Sequence, residues 1–411
     1  MKTRWFLLWF VWLGFVSGCC LWAGDVSTLE GQVVCGYQGW FRAEGDGAGL
    51  GWVHFGQGGR FRPGRCTFDV WPDLTGFWAS ERFSTPFRFS DGRVAELFSS
   101  VHPDTVRRHF RWMREYGISG AFVQRFGTVI VSERDRLVAD RVLRNCVESA
   151  VAEGRALTVM YDLTNLPKER FTAIEEDWAR VRASGWEANA CTQRHGGKPL
   201  VALYGPGFAD QPEAMGEWGA LVASMRRSGA SVMLGVPTHW REGTGDARPG
   251  KAVHDILRQA DVISPWTVGR MARMVDVESV AEHVWRKDLE WCQREGKFYL
   301  PVIFPGFSWH NLSRERGVDS PVDVIPRQGG RFFWKQAVEA ARVGARSLYV
   351  AMFDEVDEGT AVMKCAVERP VGESPFVDVS DVPSDHYLWL SGQAGRLIRG
   401  EIGARGELPV R

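Results

Sequence analysis

The sequence lacks several features that would point to a partner or a metal at once. Its 50 basic and 50 acidic residues leave no net charge, so there is no electrostatic excess of the kind that binds nucleic acid or an anionic membrane. Its nine His are dispersed, with no H-x-H pair after the first candidate strand, which argues against a metal-dependent barrel hydrolase. The eight Cys include no C-x-x-C and no Cys/His spacing of a zinc site. No internal repeat, low-complexity tract or linker interrupts the 411 residues, so a single domain is expected. Nothing in the composition calls for a cofactor.

The N-terminus has a compartment signal. Lys2 and Arg4 precede an apolar run from Trp5 to Val16 and then small residues, the outline of a signal peptide over residues 1–22 and too brief to span a membrane as a mature helix. Export is expected, whether to the periplasm, the outer membrane or the medium. Val16-Ser17-Gly18-Cys19 also resembles a bacterial lipobox, which would attach the protein to a membrane through a lipid on Cys19; the alternative is ordinary cleavage nearer Ala23-Gly24. Export permits disulfides among Cys35, Cys66, Cys146, Cys191, Cys292 and Cys365, with Cys35–Cys66 the first pair to test. Cys146, on an apolar helix face, reads instead as a small buried hydrophobe.

From residue 23 onward short β-rich runs alternate with longer helical patterns, the signature of βα units around a parallel sheet. The candidate strands are Val33–Phe41, Ser119–Phe126, Leu157–Leu163, Leu200–Tyr204, Ser231–Pro237, Val262–Trp266, Tyr299–Phe304 and Ser347–Phe353. Eight near-continuous apolar runs predict a (β/α)₈ barrel whose strands are covered on both faces. Gly117, Gly154, Gly229, Gly296 and Gly344 are placed to close helices, and Asp210 with Pro212 to open one. Val106, Phe110 and Met113 share a helix face, as do Leu143, Val147, Ala150 and Val151, and Trp334, Ala337, Val338 and Ala341. The Gly- and aromatic-rich stretch from Arg42 to Ser100 is too long for an ordinary connection after the first strand, and it predicts a substrate wall. Glu44-Gly45-Asp46-Gly47 within it lacks the acidic spacing of an EF-hand.

Barrel enzymes keep their chemistry at the strand C-termini. Here those ends supply Tyr37, Gln38 and Trp40; Gln124 and Arg125; Asp162 and Asn165; Tyr204; His239, Trp240 and Arg241; Trp266; Trp309, His310 and Asn311; and the acidic run Asp354-Glu355-Val356-Asp357-Glu358. With 19 Trp in the chain, flat apolar faces for sugar stacking are plentiful, and Tyr37, Trp40, Tyr204, Trp266 and Trp309 are candidate platforms. His239-Trp240 could hold sugar hydroxyls or a carboxylate. Asp162 and Asn165 could bind hydroxyls or cap a helix, and Gln124 and His310 are further polar contacts. Arg125 is placed either to neutralise the acidic run or to touch substrate.

Glycosidic hydrolysis takes two carboxyl groups. Glu355 and Glu358 lie three apart, and if the chain turns helically past the last strand their Cβ atoms are roughly 5–6 Å from each other, near retaining-type spacing. Like charges that close separate in pKa, leaving one acid and one anion. The same run could also cap a helix or serve a non-catalytic carbohydrate-binding barrel.

Phe353-Asp354-Glu355-Val356-Asp357-Glu358-Gly359-Thr360 resembles the F-N-E-W-H-E-G-T segment of glycoside hydrolase family 99, the endo-α-mannosidase and endo-α-mannanase family. Gly36-Tyr37-Gln38-Gly39-Trp40-Phe41 is similar to that family's first-strand motif, and Tyr116-Gly117-Ile118-Ser119-Gly120 to its join into the second strand; bacterial proteins described as family 71/99-like are nearer still. The resemblance implies retention without a protein nucleophile: Glu355 would deprotonate the sugar's own 2-hydroxyl, and Glu358 would protonate the leaving group and then activate water. Asp354, Val356 and Asp357 depart from the motif's Asn, Trp and His, and Asp354 and Asp357 become the positions where substrate preference would differ. A monomer acting on an oligo- or polysaccharide is expected.

Overall fold

The computed structural model describes residues 24–411; the signal peptide and Cys19 expectations lie outside the described residues. In chain order the strands are β1 Val33–Tyr37, β2 Phe83–Arg88, β3 Val94–Leu97, β4 Gly120–Phe126, β5 Ala156–Asp162, β6 Arg194–His195, β7 Lys198–Tyr204, β8 Ser231–Pro237, β9 Val262–Trp266, β10 Phe298–Tyr299, β11 Val302–Ile303 and β12 Leu348–Val350. Hydrogen bonding runs β10-β9-β8-β7-β5-β4-β1-β12-β11, parallel at every step. Because β10 and β11 belong to one stretch of chain, the sheet closes on itself. Leu300 N donates to Ile263 O at 2.9 Å and Tyr349 N to Pro301 O at 3.0 Å across the seam. The predicted seventh strand is broken there, where Pro301 has no N–H to donate. The eight predicted strands are thus the eight staves of a (β/α)₈ barrel.

The apolar content of the runs is explained by their position: the strands are buried on both faces, against barrel interior and helix layer. Gly117, Gly154 and Gly344 cap helices with φ of 78°, 61° and 97°. One helix begins later than Asp210-Pro212 predicts, at Met215 behind Ala214. Tertiary bonds hold that segment as a loop: Asn165 N donates to Gln211 Oε1 at 3.1 Å and the Arg248 guanidinium to the Gln211 carbonyl. Val151, expected on a buried face, is 49% exposed.

Between β1 and the helix Pro103–Tyr116, residues 38–102 form the β2–β3 hairpin and a series of turns. This segment is stitched to the end of the barrel where the strands have their C-termini. Asp69 accepts from Ser308 Oγ at 2.6 Å, His310 N at 2.6 Å and Asn311 N and Nδ2, both at 2.9 Å, while Asp69 N and Val70 N donate to Val356 O. The Cys35–Cys66 expectation is corrected: all six described cysteines are buried and free. Cys35 contacts Gly120 O on the neighbouring strand, and Cys66 lies 3.3 Å from Ser374 Oγ. Asp46 closes its own turn, accepting from Ala43 N, Ala48 N and Ser99 Oγ.

Candidate active site

Past β12 the chain enters a tight turn rather than the helix assumed from spacing, with Thr360 N and Ala361 N returning to Glu355 O. Asp354 anchors it. Its carboxylate accepts Gln38 N at 2.7 Å and Gly39 N at 2.9 Å, tying the last stave to the first. Those bonds end β1 four residues before the predicted Phe41, where Gly39 (φ 58°) takes a left-handed turn with no room for a Cβ. Fully buried, Asp354 touches no substrate space, so its assignment as a substrate contact is corrected to that of a clamp. Val356, also buried, packs in the core.

The three remaining acids differ in their contacts. Glu355 accepts from Thr360 Oγ1 at 2.5 Å and from the Gln38 side-chain amide. Asp357 Oδ2 lies 3.2 Å from His54 Nδ1. The Glu358 carboxyl has no hydrogen-bonding partner among the described residues, although its backbone carbonyl accepts Ser308 N. Burial raises every carboxyl of the turn: Asp354 and Glu358 to about 7, Asp357 to about 8, and Glu355 well above the usual range, with the charges of Glu358 and Asp357 adding to the effect at Glu355. At Glu355 alone, side-chain hydrogen bonds from Thr360 and Gln38 oppose that rise. Desolvation, with the charges of Arg42 and Arg316, lowers the His54 imidazole to about 3.

These groups face a cleft of two lobes at the strand C-termini. One, of about 760 Å³, is lined by Gln38, Trp40, His54, Gln124, Asp162, Asn165, Arg316, Glu355 and Asp357 among others. The second, of about 540 Å³, is lined by Phe208, Arg270, Phe307 and Trp309. Thr164, Tyr204, Trp266 and Glu358 line both. Tyr204 and Trp266 meet edge to face there, 5.5 Å between ring centroids.

Several expected contacts lie elsewhere. Tyr37 is fully buried behind the barrel wall, its hydroxyl 2.9 Å from His109 Nδ1. Arg125 turns into the helix layer and holds Asp177 at 2.7 Å through Nε and Nη2 and Asp140 at 2.7 Å, so it neutralises those acids and not the acidic turn. Trp240 is buried, donating to Asp288 at 3.1 Å and packing edge-on against Trp291. His239 lies outside both lobes, beside Gly245, with its backbone N on Asp246. His310 lines neither lobe: its Nδ1 lies 2.6 Å from the Ser320 carbonyl and its backbone N donates to Asp69.

Comparison with solved structures finds an endo-α-mannosidase of glycoside hydrolase family 99 from Bacteroides thetaiotaomicron, in complex with bis-tris-propane, at a TM-score of 0.64 and 15% identity, covering 91% of this chain and 100% of that one. A second structure of the family 99 endo-α-mannosidase from the same organism gives 0.62 and 15%, covering 91% and 99%. The chain shares the barrel fold of these two structures. Neither protein-family models nor curated protein sequences give a match. Set on that fold, the turn from Asp354 to Glu358 occupies the end of the eighth stave. Four residues of the site had no assigned role in the sequence: Gln38, visible as a strand end, Thr360, visible as the last residue of the motif opened by Phe353, and His54 and Arg316, for which spacing held no signal.

Proposed function

We propose that this chain is an exported glycoside hydrolase that cleaves within a glycan with retention of configuration. The observation that carries the reading is Glu358: its carboxyl stands where the two lobes meet, free of hydrogen-bond donors among the described residues and held up at about 7 by desolvation and by Asp357. Such a group is protonated often enough near neutral pH to give its proton to a departing glycosidic oxygen and to take one back from water. Glu355 is the base. Burial and the charges of Glu358 and Asp357 raise its affinity for a proton, while the hydrogen bonds from Gln38 and Thr360 support the anionic form against that rise; as the anion it draws a proton from the 2-hydroxyl of the sugar in the larger lobe, whose oxygen then attacks C1 and is displaced in turn by water. A 2-hydroxyl trans to the leaving group, as in an α-mannoside, meets that requirement.

The lobes on either side of Glu358 would take the two sides of the bond cleaved, the glycone with Trp40, Gln124, Asp162, Asn165 and Tyr204, the leaving saccharide with Trp266 and Trp309. That arrangement favours internal cleavage. The reading takes residues 1–22 as an export signal, with either a lipid on Cys19 or cleavage nearer Ala23-Gly24. The test is turnover of α-mannans, α-glucans, xylans and arabinans followed by product size. Release of oligosaccharides from one of them, with chelator present, supports the reading; no turnover of any by a folded protein that still binds glycan would replace it with a binding barrel.

A further inference from the structure

We propose that His54, brought into the cleft by the long segment after β1, is a substrate-contacting residue that reads a sugar hydroxyl beside the bond cleaved. The proposal rests on the hydrolase reading above. His54 lines the larger lobe with about a third of its side chain exposed (35%). Two contacts fix the ring in place and in plane. Nδ1 meets Asp357 Oδ2 at 3.2 Å, and the imidazole lies flat on the Trp40 indole, 3.8 Å between centroids and 6° between planes. With Nδ1 committed, Nε2, on the far side of the ring, has no protein partner among the described residues. Whichever atom of the pair holds the shared proton, Nε2 is either a donor or an acceptor, and a sugar hydroxyl answers both.

The backbone supports the same conclusion. His54 has φ 62°, a left-handed conformation that a non-glycine residue adopts at a cost. Its carbonyl is held by Thr67 Oγ1 at 2.8 Å, and the Arg42–Val53 bridge precedes it. A ring needed only to fill space beside Trp40 would not require this placement. The family 99 motif carries His where this chain has Asp357, and here an imidazole reaches that carboxyl from 303 residues away in sequence.

The experiment uses the full chain with ¹⁵N-labelled histidine and Glu358→Gln, titrated with oligosaccharides of α-mannan, α-glucan, xylan and arabinan. The His54 Nε2 resonance, assigned by its loss in His54→Phe, is expected to move with the oligosaccharide that binds. His54→Phe keeps a ring on Trp40 without nitrogens and is expected to bind that oligosaccharide about tenfold more weakly, the scale of one hydrogen bond. Binding that leaves Nε2 unmoved, or undiminished binding by His54→Phe, overturns the proposal while the hydrolase reading stands. Failure of all four oligosaccharides to bind, together with no turnover by the unsubstituted protein, overturns both. Should His54→Phe not fold, the resonance is assigned by its loss in His54→Asn, which tolerates the left-handed backbone, and the shift on the intact His54 side chain still decides.

Discussion

Buried acids appear in two places around this barrel, and the protein treats them in opposite ways. Asp177 sits in the helix layer, where burial disfavours its charge, but bonds from Arg125, Tyr161 and Arg180 outweigh that and hold its carboxyl below the usual range. The turn after β12 buries Asp354, Glu355 and Asp357 and half-buries Glu358, and among the described residues no Arg or Lys comes within ion-pair distance of any of them; desolvation pushes all four up. A buried carboxylate paired with a guanidinium is a structural element, whereas one left unpaired at a cleft stores proton affinity that chemistry can use.

The comparison can be broken most severely at Arg125. Arg125→Ala leaves Asp177 buried without its main partner and is expected to cost about 3–5 kcal/mol in denaturant unfolding, with the folded fraction retaining its kcat; a loss below 1 kcal/mol would show that the pair is dispensable. In the turn the sign reverses. Asp357 goes from an ordinary 3.8 to about 8 on folding, so between those pH values the folded state keeps a proton that the unfolded chain has released, and stability falls as pH rises through that window. Asp357→Asn, which cannot ionise, is expected to raise stability by about 0.5–2 kcal/mol at pH 8, with the gain disappearing below about pH 4, read as Tm against pH. A substitution equally stabilising at both pH values would mean that charge is not the cause. The smallest effect is at Trp266, shared by both lobes: Trp266→Ala is expected to cost about 0.5–1.5 kcal/mol, roughly two- to tenfold in KM, with kcat less changed.

The barrel was legible because its strands are apolar on both faces, which makes each a continuous run, and because the acidic run follows the last of them. What spacing does not reveal is direction. Successive strand residues point to opposite faces, so Gln124 enters the cleft while Arg125 beside it enters the helix layer, and Gln38 reaches Glu355 while Tyr37 turns to His109. All four were visible as strand ends, but only pairing and burial sort them. His54 was not legible at all. It lies in an irregular segment with no period, and its partner is at the far end of the chain. Trp240 shows the converse: a large aromatic at a strand end resembles a sugar platform, yet Asp288 and Trp291 draw it into the interior.

The claim on which the rest depends is that Glu358 works as the acid/base of a retaining hydrolysis. Its most direct test is proton NMR of the first product released from the polysaccharide the protein cleaves, run in parallel with Glu358→Gln. The product is expected to appear with the anomeric configuration of the bond broken, and the substitution to lower kcat by about 10²–10⁴ without unfolding the barrel. An inverted first product, or turnover untouched by Glu358→Gln, would contradict it.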